Sequence, residues 1–499
     1  MKPLLLPAIC VLLSSGLSDA SKFPPGFKFG AATSAYQIEG AWNVSDKGES
    51  IWDRYVHENP ELIADHSNGD VASDSYNRWM DDVKIASDLG LHFYRFSLSW
   101  PRLLPHGTPE RISEDGKNYY DKLINALLQK GIEPVITLYH WDLPQRFQEL
   151  GGWANPHIAD WFADYARVVY SLYGDRVKTW ITINEPLVIC EIAFNTGVFA
   201  PGIKDPEYGN YMCSKNLLLA HAKAWRIYDS EFKPKYGGKV GITHQIIWYE
   251  AASPEHEELA ELARQYSAGL YCHPINSELG GWPPAVERVI AENSKKQGFF
   301  RSRLPPFTKE EIELVKGTYD FSGINYYISR LVRRAEADDV IGPWPLGGGS
   351  AELGAIVEVD ASWKKGATSW FWSFPPGLRR MLSWFKKYCG DHEVLITENG
   401  LASNEDIIDD DRVEYYRSHL EQVWLAINED GVNVKAYTAW TLIDNFEWMD
   451  GYNVTFGLYH VDFKEPKRKR TPRASSYYYK EVIRNHSYDV DIYVDRDEL

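Results

Sequence analysis

Two short segments of the 499-residue chain could carry chemistry: Thr182-Ile183-Asn184-Glu185-Pro186 and Ile396-Thr397-Glu398-Asn399-Gly400. Each sets a glutamate at the end of an apolar, β-rich run, where a structural ion pair would be an odd use of the space. A single glutamate at a strand end usually pairs with a nearby Arg or Lys in a loop. Two at equivalent places can instead divide the roles of proton donor, base and nucleophile. Such chemistry needs no metal and no cofactor. The cysteine spacings match no zinc pattern, and there is no Gly-x-Gly-x-x-Gly turn or phosphate loop ending in Lys-Ser/Thr.

Glutamates 213 positions apart (398 − 185) must be brought together by the fold. Eight nearly continuous apolar runs read as parallel strands buried on both faces: 27–32, 93–100, 134–141, 179–185, 239–246, 321–327, 393–398 and 434–442. Amphipathic stretches between them, such as 119–130 and 156–173, read as helices. Eight alternating units predict a single (β/α)8 TIM barrel over residues 21–499. Polar residues gather at the carboxyl ends of the runs: His140, Asn184, Glu185, Asn325, Glu398 and Asn399. In barrels of this type that end is the catalytic face. Residues 331–366 read as an irregular insertion bordering its mouth, and the basic run 467–470 as a solvated loop.

Composition narrows the partners. A formal net charge of −17 argues against nucleic acid and against anionic membrane surfaces. The 19 Trp, 31 Tyr and 20 Phe permit ring stacking on a sugar as well as core packing, without choosing between them. Lys2, the apolar run 4–13 and Ser18-Asp19-Ala20 read as a signal peptide over 1–20, and no later segment is long enough to insert in a membrane. The chain ends in Arg496-Asp497-Glu498-Leu499, close to lumenal retrieval tetrapeptides, so retention in the endoplasmic reticulum through a retrieval receptor is expected, with secretion as the alternative. In that compartment Cys190, Cys213, Cys272 and Cys389 could pair in three ways. Sequons place candidate glycans on Asn43, Asn453 and Asn485.

From about Phe27 to Tyr479 the chain resembles glycoside hydrolase family 1, the β-glucosidase family. The resemblance is carried by Phe29-Gly30-Ala31-Ala32-Thr33-Ser34-Ala35-Tyr36-Gln37-Ile38-Glu39-Gly40, by Tyr94-Arg95-Phe96-Ser97-Leu98-Ser99-Trp100 and by Tyr139-His140-Trp141-Asp142-Leu143-Pro144. Asp444-Asn445-Phe446-Glu447-Trp448 and the two glutamate segments follow in the family's order. The resemblance implies hydrolysis of β-glycosides with retention, by two carboxyl groups about 5–5.5 Å apart. It implies that Glu398 attacks the anomeric carbon and that Glu185 protonates the aglycone, then deprotonates water. Arg95 and Tyr327 would hold the nucleophile, with Asn325 beside them. Gln37, His140, Asn184 and Glu447 would grip the sugar hydroxyls, over a wall of Trp440, Trp448 and Phe456.

The retained Glu447 implies an unphosphorylated sugar, and the retained Glu185 favours O-glycosides. The expected substrates are terminal β-D-glucosides, with β-D-galactosides and fucosides as further candidates. Thr455 stands where the family usually carries arginine, which creates the Asn453 sequon beside Phe456, and that sequon is expected to be unused. Arg473 stands where lysine normally follows the proline. Two other readings share the barrel: a transglycosidase with the same site, and a sugar-binding protein without turnover.

Overall fold

The structure is a computed structural model that describes residues 21–345, 347–404 and 407–492. The expected signal peptide and the terminal tetrapeptide lie outside the described residues. Eight strands are arranged in chain order: β1 (Lys28–Ala32), β2 (Phe93–Ser97), β3 (Glu133–Tyr139), β4 (Thr179–Asn184), β5 (Lys239–Gln245), β6 (Phe321–Asn325), β7 (Val394–Asn399) and β8 (Val434–Trp440). Each pairs in parallel with the next, and β8 pairs with β1 to close the barrel. All five residues of β2 and of β6 are buried, as strands covered by helices outside and side chains inside must be. Phe93, Val135, Ile181, Phe321 and Ala436 pack together at the amino-terminal end and plug it.

All eight expected strands are present, but most runs extend past the true strand. The run 93–100 ends as a strand at Ser97, and Trp100 opens a short helix. The run 321–327 stops pairing at Asn325, and 434–442 at Trp440. Apolar character outlasts the ladder because the chain past each strand end still faces the interior. The helix expected over 119–130 spans Glu114–Gln129, since Ser113 caps it by accepting from the Gly116 N–H at 3.0 Å. The helix expected over 156–173 spans Ile158–Tyr173 and turns Ile158, Phe162, Tyr165, Val169 and Tyr173 inward at helical spacing.

The insertion over 331–366 is not wholly irregular. Ser329–Arg334, Gly348–Ser350 and Ala355–Glu358 join Trp248–Ala251 in a four-stranded sheet. Cys190 is bonded to Cys213 and Cys272 to Cys389, one of the three pairings open to the sequence.

The loop after β8 is tied to the C-terminal helix Ala474–Asn485 by a buried ion pair. Arg473 donates from both terminal nitrogens to Asp444, at 2.8 Å each, which holds the Asp444 carboxyl down at about 2 although burial alone would raise it. The arginine at this position therefore has a consequence that charge alone does not convey: it makes a planar fork. Replacing Arg473 with Ala takes away the bidentate cation and leaves the buried carboxylate only His460 and two backbone N–H groups, and should cost about 3 kcal/mol of stability. R473K should recover only part of that loss. Chemical denaturation midpoints check both, and a wild-type midpoint for R473A would remove the pair from this role.

Candidate active site

Arg95, in the middle of β2, is nearly fully buried and points into the barrel. Its Nη1 donates to Glu398 Oε1 at 2.5 Å and to the Thr397 carbonyl at 2.9 Å. Its Nη2 donates to Asn184 Oδ1 at 2.7 Å, and its Nε to Thr137 Oγ1 at 3.2 Å. One side chain thus joins β3, β4 and β7. The second oxygen of Glu398 accepts from the Tyr327 hydroxyl at 2.7 Å. Burial pushes that phenol well above its ordinary range, with the charges of Glu398 and Glu185 adding, so it stays protonated as a donor.

Glu185 follows β4 with φ +54°, a left-handed backbone that glutamate seldom adopts. Its N–H donates to the Thr243 carbonyl of β5, and its Oε1 accepts from Asn325 Nδ2 at 2.6 Å. Asn325 in turn accepts from Thr397 Oγ1 at 2.7 Å. It thereby links the neighbourhood of one glutamate to that of the other. The two carboxyl groups differ in their surroundings. Burial first, and then the charge of Glu398, raise the Glu185 carboxyl to about 8. Burial also raises Glu398, but Arg95 and the Tyr327 hydroxyl oppose it by stabilising the ionised form.

The glutamates open into a cavity of about 800 Å³, bordered by His140, Tyr327, Trp440, Glu447, Trp448 and Phe456 among others. Asn184 accepts from Arg95 through its oxygen, so its Nδ2 is free to meet His140 Nε2 at 3.2 Å. That contact leaves the ring hydrogen on His140 Nδ1, which has no protein partner. Burial and the nearby Arg95 cation hold this imidazole neutral. The Trp440 ring lies nearly parallel to His140, with centroids 5.8 Å apart, and Trp448 packs on Trp141 at 4.7 Å. Trp141 (φ +77°) and Trp448 (φ +49°) share the left-handed backbone of Glu185, and strained residues gather at working sites.

Every residue expected to do chemistry or to grip the sugar falls in this region, though in two layers. Gln37, Arg95, Asn184 and Asn325 lie behind the wall. Gln37 is fully buried, with its Nε2 at 2.9 Å from Asn445 Oδ1 and 3.5 Å from Glu447 Oε2. Burial and the carboxylates of Asp450, Glu398 and Glu185 push Glu447 well above its usual range. Sequence reasoning missed Trp141, Val188, Ile192, Phe199, Gln245, Trp344 and Met449, which also line the cavity. The Tyr139–Pro144 motif contains Trp141 and could have flagged it. Trp344 lies in the segment expected to border the mouth. Among the described residues, no cluster of three or more His, Cys, Asp or Glu could hold a metal ion, and no helix is long and apolar enough to cross a membrane.

Two buried carboxyl groups at the carboxyl mouth of a closed barrel, one of them held by a cation, fit a hydrolase that works on glycosidic bonds. The match to glycosyl hydrolase family 1 spans residues 19–488, and the chain belongs to that family. Myrosinase 1 of Brevicoryne brassicae is 43% identical over 466 residues, 93% of this chain and 98% of its own. The cytosolic β-glucosidase of Homo sapiens is 40% identical over 481 residues, 94% and 100% of the two chains. Among solved structures, aphid myrosinase superposes with a TM-score of 0.89 at 42% identity, over 93% of this chain and 99% of that one. A rice β-glucosidase in a covalent complex with Glc gives 0.85 at 35% identity, over 92% and 98%. The protein is a retaining β-glycosidase.

Arg95 carries the most connections in the site. Arg95→Lys keeps the charge but cannot reach Glu398, Asn184 and Thr137 together. Turnover should fall about 10²–10³-fold, the usual loss when one preorganised donor is removed. Steady-state kinetics on an aryl β-glycoside, with circular dichroism to show that the variant is folded, make the check.

Proposed function

We propose that Glu398 is the nucleophile and Glu185 the acid/base of a β-glucosidase acting on terminal, non-reducing β-D-glucosides. The observation that carries this reading is the unlike setting of the two carboxyl groups: Glu398 between Arg95 and the Tyr327 hydroxyl, Glu185 raised to about 8. At neutral pH Glu185 holds a proton and Glu398 is the better anion. A glucoside bound across them loses its aglycone as the Glu185 proton moves to the leaving oxygen and a Glu398 oxygen bonds to the anomeric carbon. That bond neutralises Glu398. The charge that raised Glu185 is then gone, its affinity for the proton drops, and it can take a proton from water. Water attacks the anomeric carbon, the ester bond to Glu398 breaks, and both carboxyl groups return to their first states.

The neutral His140 with its unpartnered Nδ1–H, and Glu447 with oxygens at the cavity wall, support contacts to sugar hydroxyls. Trp440 offers an apolar face for the ring. The acid at Glu185 supports O-glycosides. Two disulfides support an oxidising compartment, in keeping with a signal peptide and with retention in the endoplasmic reticulum lumen. Asn43 is exposed and suits a glycan, whereas the Asn485 amide is tied to Glu481 at 2.9–3.0 Å. Asn453 is also exposed, three residues before Phe456 of the cavity wall.

E398A should lower turnover of an aryl β-D-glucoside by about 10⁴-fold or more, as loss of a nucleophile does. Time-resolved proton NMR should show β-glucose before its α anomer, and α-glucose first would exclude retention through Glu398. The pH profile should fall above about 8 as Glu185 loses its proton. E185Q should abolish that basic limb. Y327F removes a hydrogen bond that favours ionised Glu398 and should move the acidic limb upward. Deleting residues 496–499 should release the protein from cells, and unchanged retention would count against the retrieval signal.

A further inference from the structure

The cavity wall also carries polar atoms that the sugar contacts proposed above do not use. Gln245 is the last residue of β5 and stands in register with Asn325, the residue that donates to Glu185. It therefore lies on the side from which a leaving group departs, given the reading that Glu185 is the proton donor. Its Oε1 is buried and has no partner. Asn210 lines the same space and is 2% exposed. Its Nδ2 donates to Glu191 Oε1 at 2.9 Å, while Asn195 Nδ2 takes the other oxygen at 2.7 Å. The Glu191 carboxylate can only accept, so the Asn210 oxygen is turned away from it and is left without a partner. Trp344 borders the same cavity, held by stacking on Tyr249 at 4.9 Å and by an edge contact with Tyr266 at 5.6 Å. Its indole Nε1 is buried and also unpartnered.

Buried polar atoms are almost always hydrogen-bonded, and unpartnered ones lining a cavity mark where a ligand or ordered water completes the set. Here the set is two acceptors and one donor, and an alcohol or phenol hydroxyl can accept from the donor while it donates to one of the acceptors. The same wall carries aliphatic and aromatic side chains, with Val188, Ile192 and Phe199. The charge nearby is negative: Glu191 stands behind Asn210, and Glu352, on the wall itself, is already paired with Arg303 and Asn293. An anionic group would meet these carboxylates, while Lys204, a cation that also borders the cavity, is solvent-exposed and its charge is screened.

We propose that this part of the cavity is a subsite for an uncharged aglycone whose apolar body carries a hydroxyl, read by Gln245, Asn210 and Trp344. The subsite selects by what it leaves unsatisfied. An aglycone lacking the hydroxyl leaves all three polar atoms without a partner, whereas one bearing it donates to one amide oxygen and accepts from the indole N–H, with the other oxygen left to ordered water.

The test compares kcat/KM for three matched substrates: 2-phenylethyl β-D-glucoside, its 4-hydroxyphenyl analogue and its 4-carboxyphenyl analogue, with cellobiose alongside. The hydroxylated substrate should exceed the unsubstituted one by at least about tenfold, and the carboxylate should be poorer than either. In Gln245→Leu, and in Trp344→Phe, which keeps a ring but removes the N–H, the ratio of hydroxylated to unsubstituted should move toward one. Equal values in the wild type, or an unmoved ratio in both folded variants, overturns the subsite. Cellobiose outrunning the hydroxylated aryl substrate overturns the apolar body in favour of a second sugar. Hydrolysis of 4-nitrophenyl β-D-glucoside reports separately on Glu185 and Glu398. Its absence overturns the catalytic reading and the subsite together, whereas its presence without hydroxyl preference overturns the subsite alone.

Discussion

A guanidinium in the middle of a barrel has to be answered on every side, because an unpaired cation removed from water is among the costliest things a fold can contain. Arg95 is answered by Glu398, the Thr397 carbonyl, Asn184 and Thr137, contributed by three other strands. The planar fork leaves little tolerance. Strands β2, β3, β4 and β7 must keep their relative register, or one of these bonds is lost. The plug of Phe93, Val135, Ile181, Phe321 and Ala436 beneath them is the apolar counterpart of that requirement. It holds the strands at fixed spacing from below while the guanidinium joins them from within.

The chemistry grows out of the same arrangement. Two buried carboxyl groups near each other cannot both ionise cheaply, and the site settles which one does. Arg95 and the Tyr327 hydroxyl stand against Glu398, whereas Glu185 has the amide of Asn325 and lies farther from compensation. Asn325 connects the two, since Thr397 donates to its oxygen and its nitrogen donates to Glu185. Asn184 plays a similar part toward His140, turning its amide so that the imidazole offers a hydrogen. Proton positions in this site are therefore set one neighbour at a time, outward from a single cation.

Strand ends are where regular structure gives way. The β4–β5 pairing shifts register between Ile181 and Asn184, and the β6–β7 pairing between Ile396 and Glu398. Each irregularity sits immediately beside one of the glutamates, as bulges near active sites re-aim side chains. Left-handed backbone at Trp141, Glu185 and Trp448 does the same for the wall. Close packing enforces it: a Cβ on Gly400 would lie 1.9 Å from the Trp440 carbonyl oxygen, so only glycine lets the chain after Glu398 pass beneath that aromatic platform.

Much of this was legible in the sequence. A strand buried on both faces must be apolar throughout, so all eight announced themselves, and the glutamates stood out because carboxylates are rare at such ends. Their closing residues were misread, since Leu98, Tyr327 and Leu442 are as apolar as the strands they follow yet pack beyond the ladder. Cysteine pairing stayed open because Cys272 and Cys389 are 117 residues apart, and spacing carries no distance through space at that range. Gln245, Asn210 and Trp344 come from three separate segments, and none is unusual in its own. The sequence by itself determined the order and kind of elements, the two glutamates and the residues suited to serve them. Only the tertiary structure decided which carboxyl group keeps its proton and what the rest of the cavity presents. Burial, register and the distance to a charge are properties of the closed barrel, and no local stretch of chain contains them.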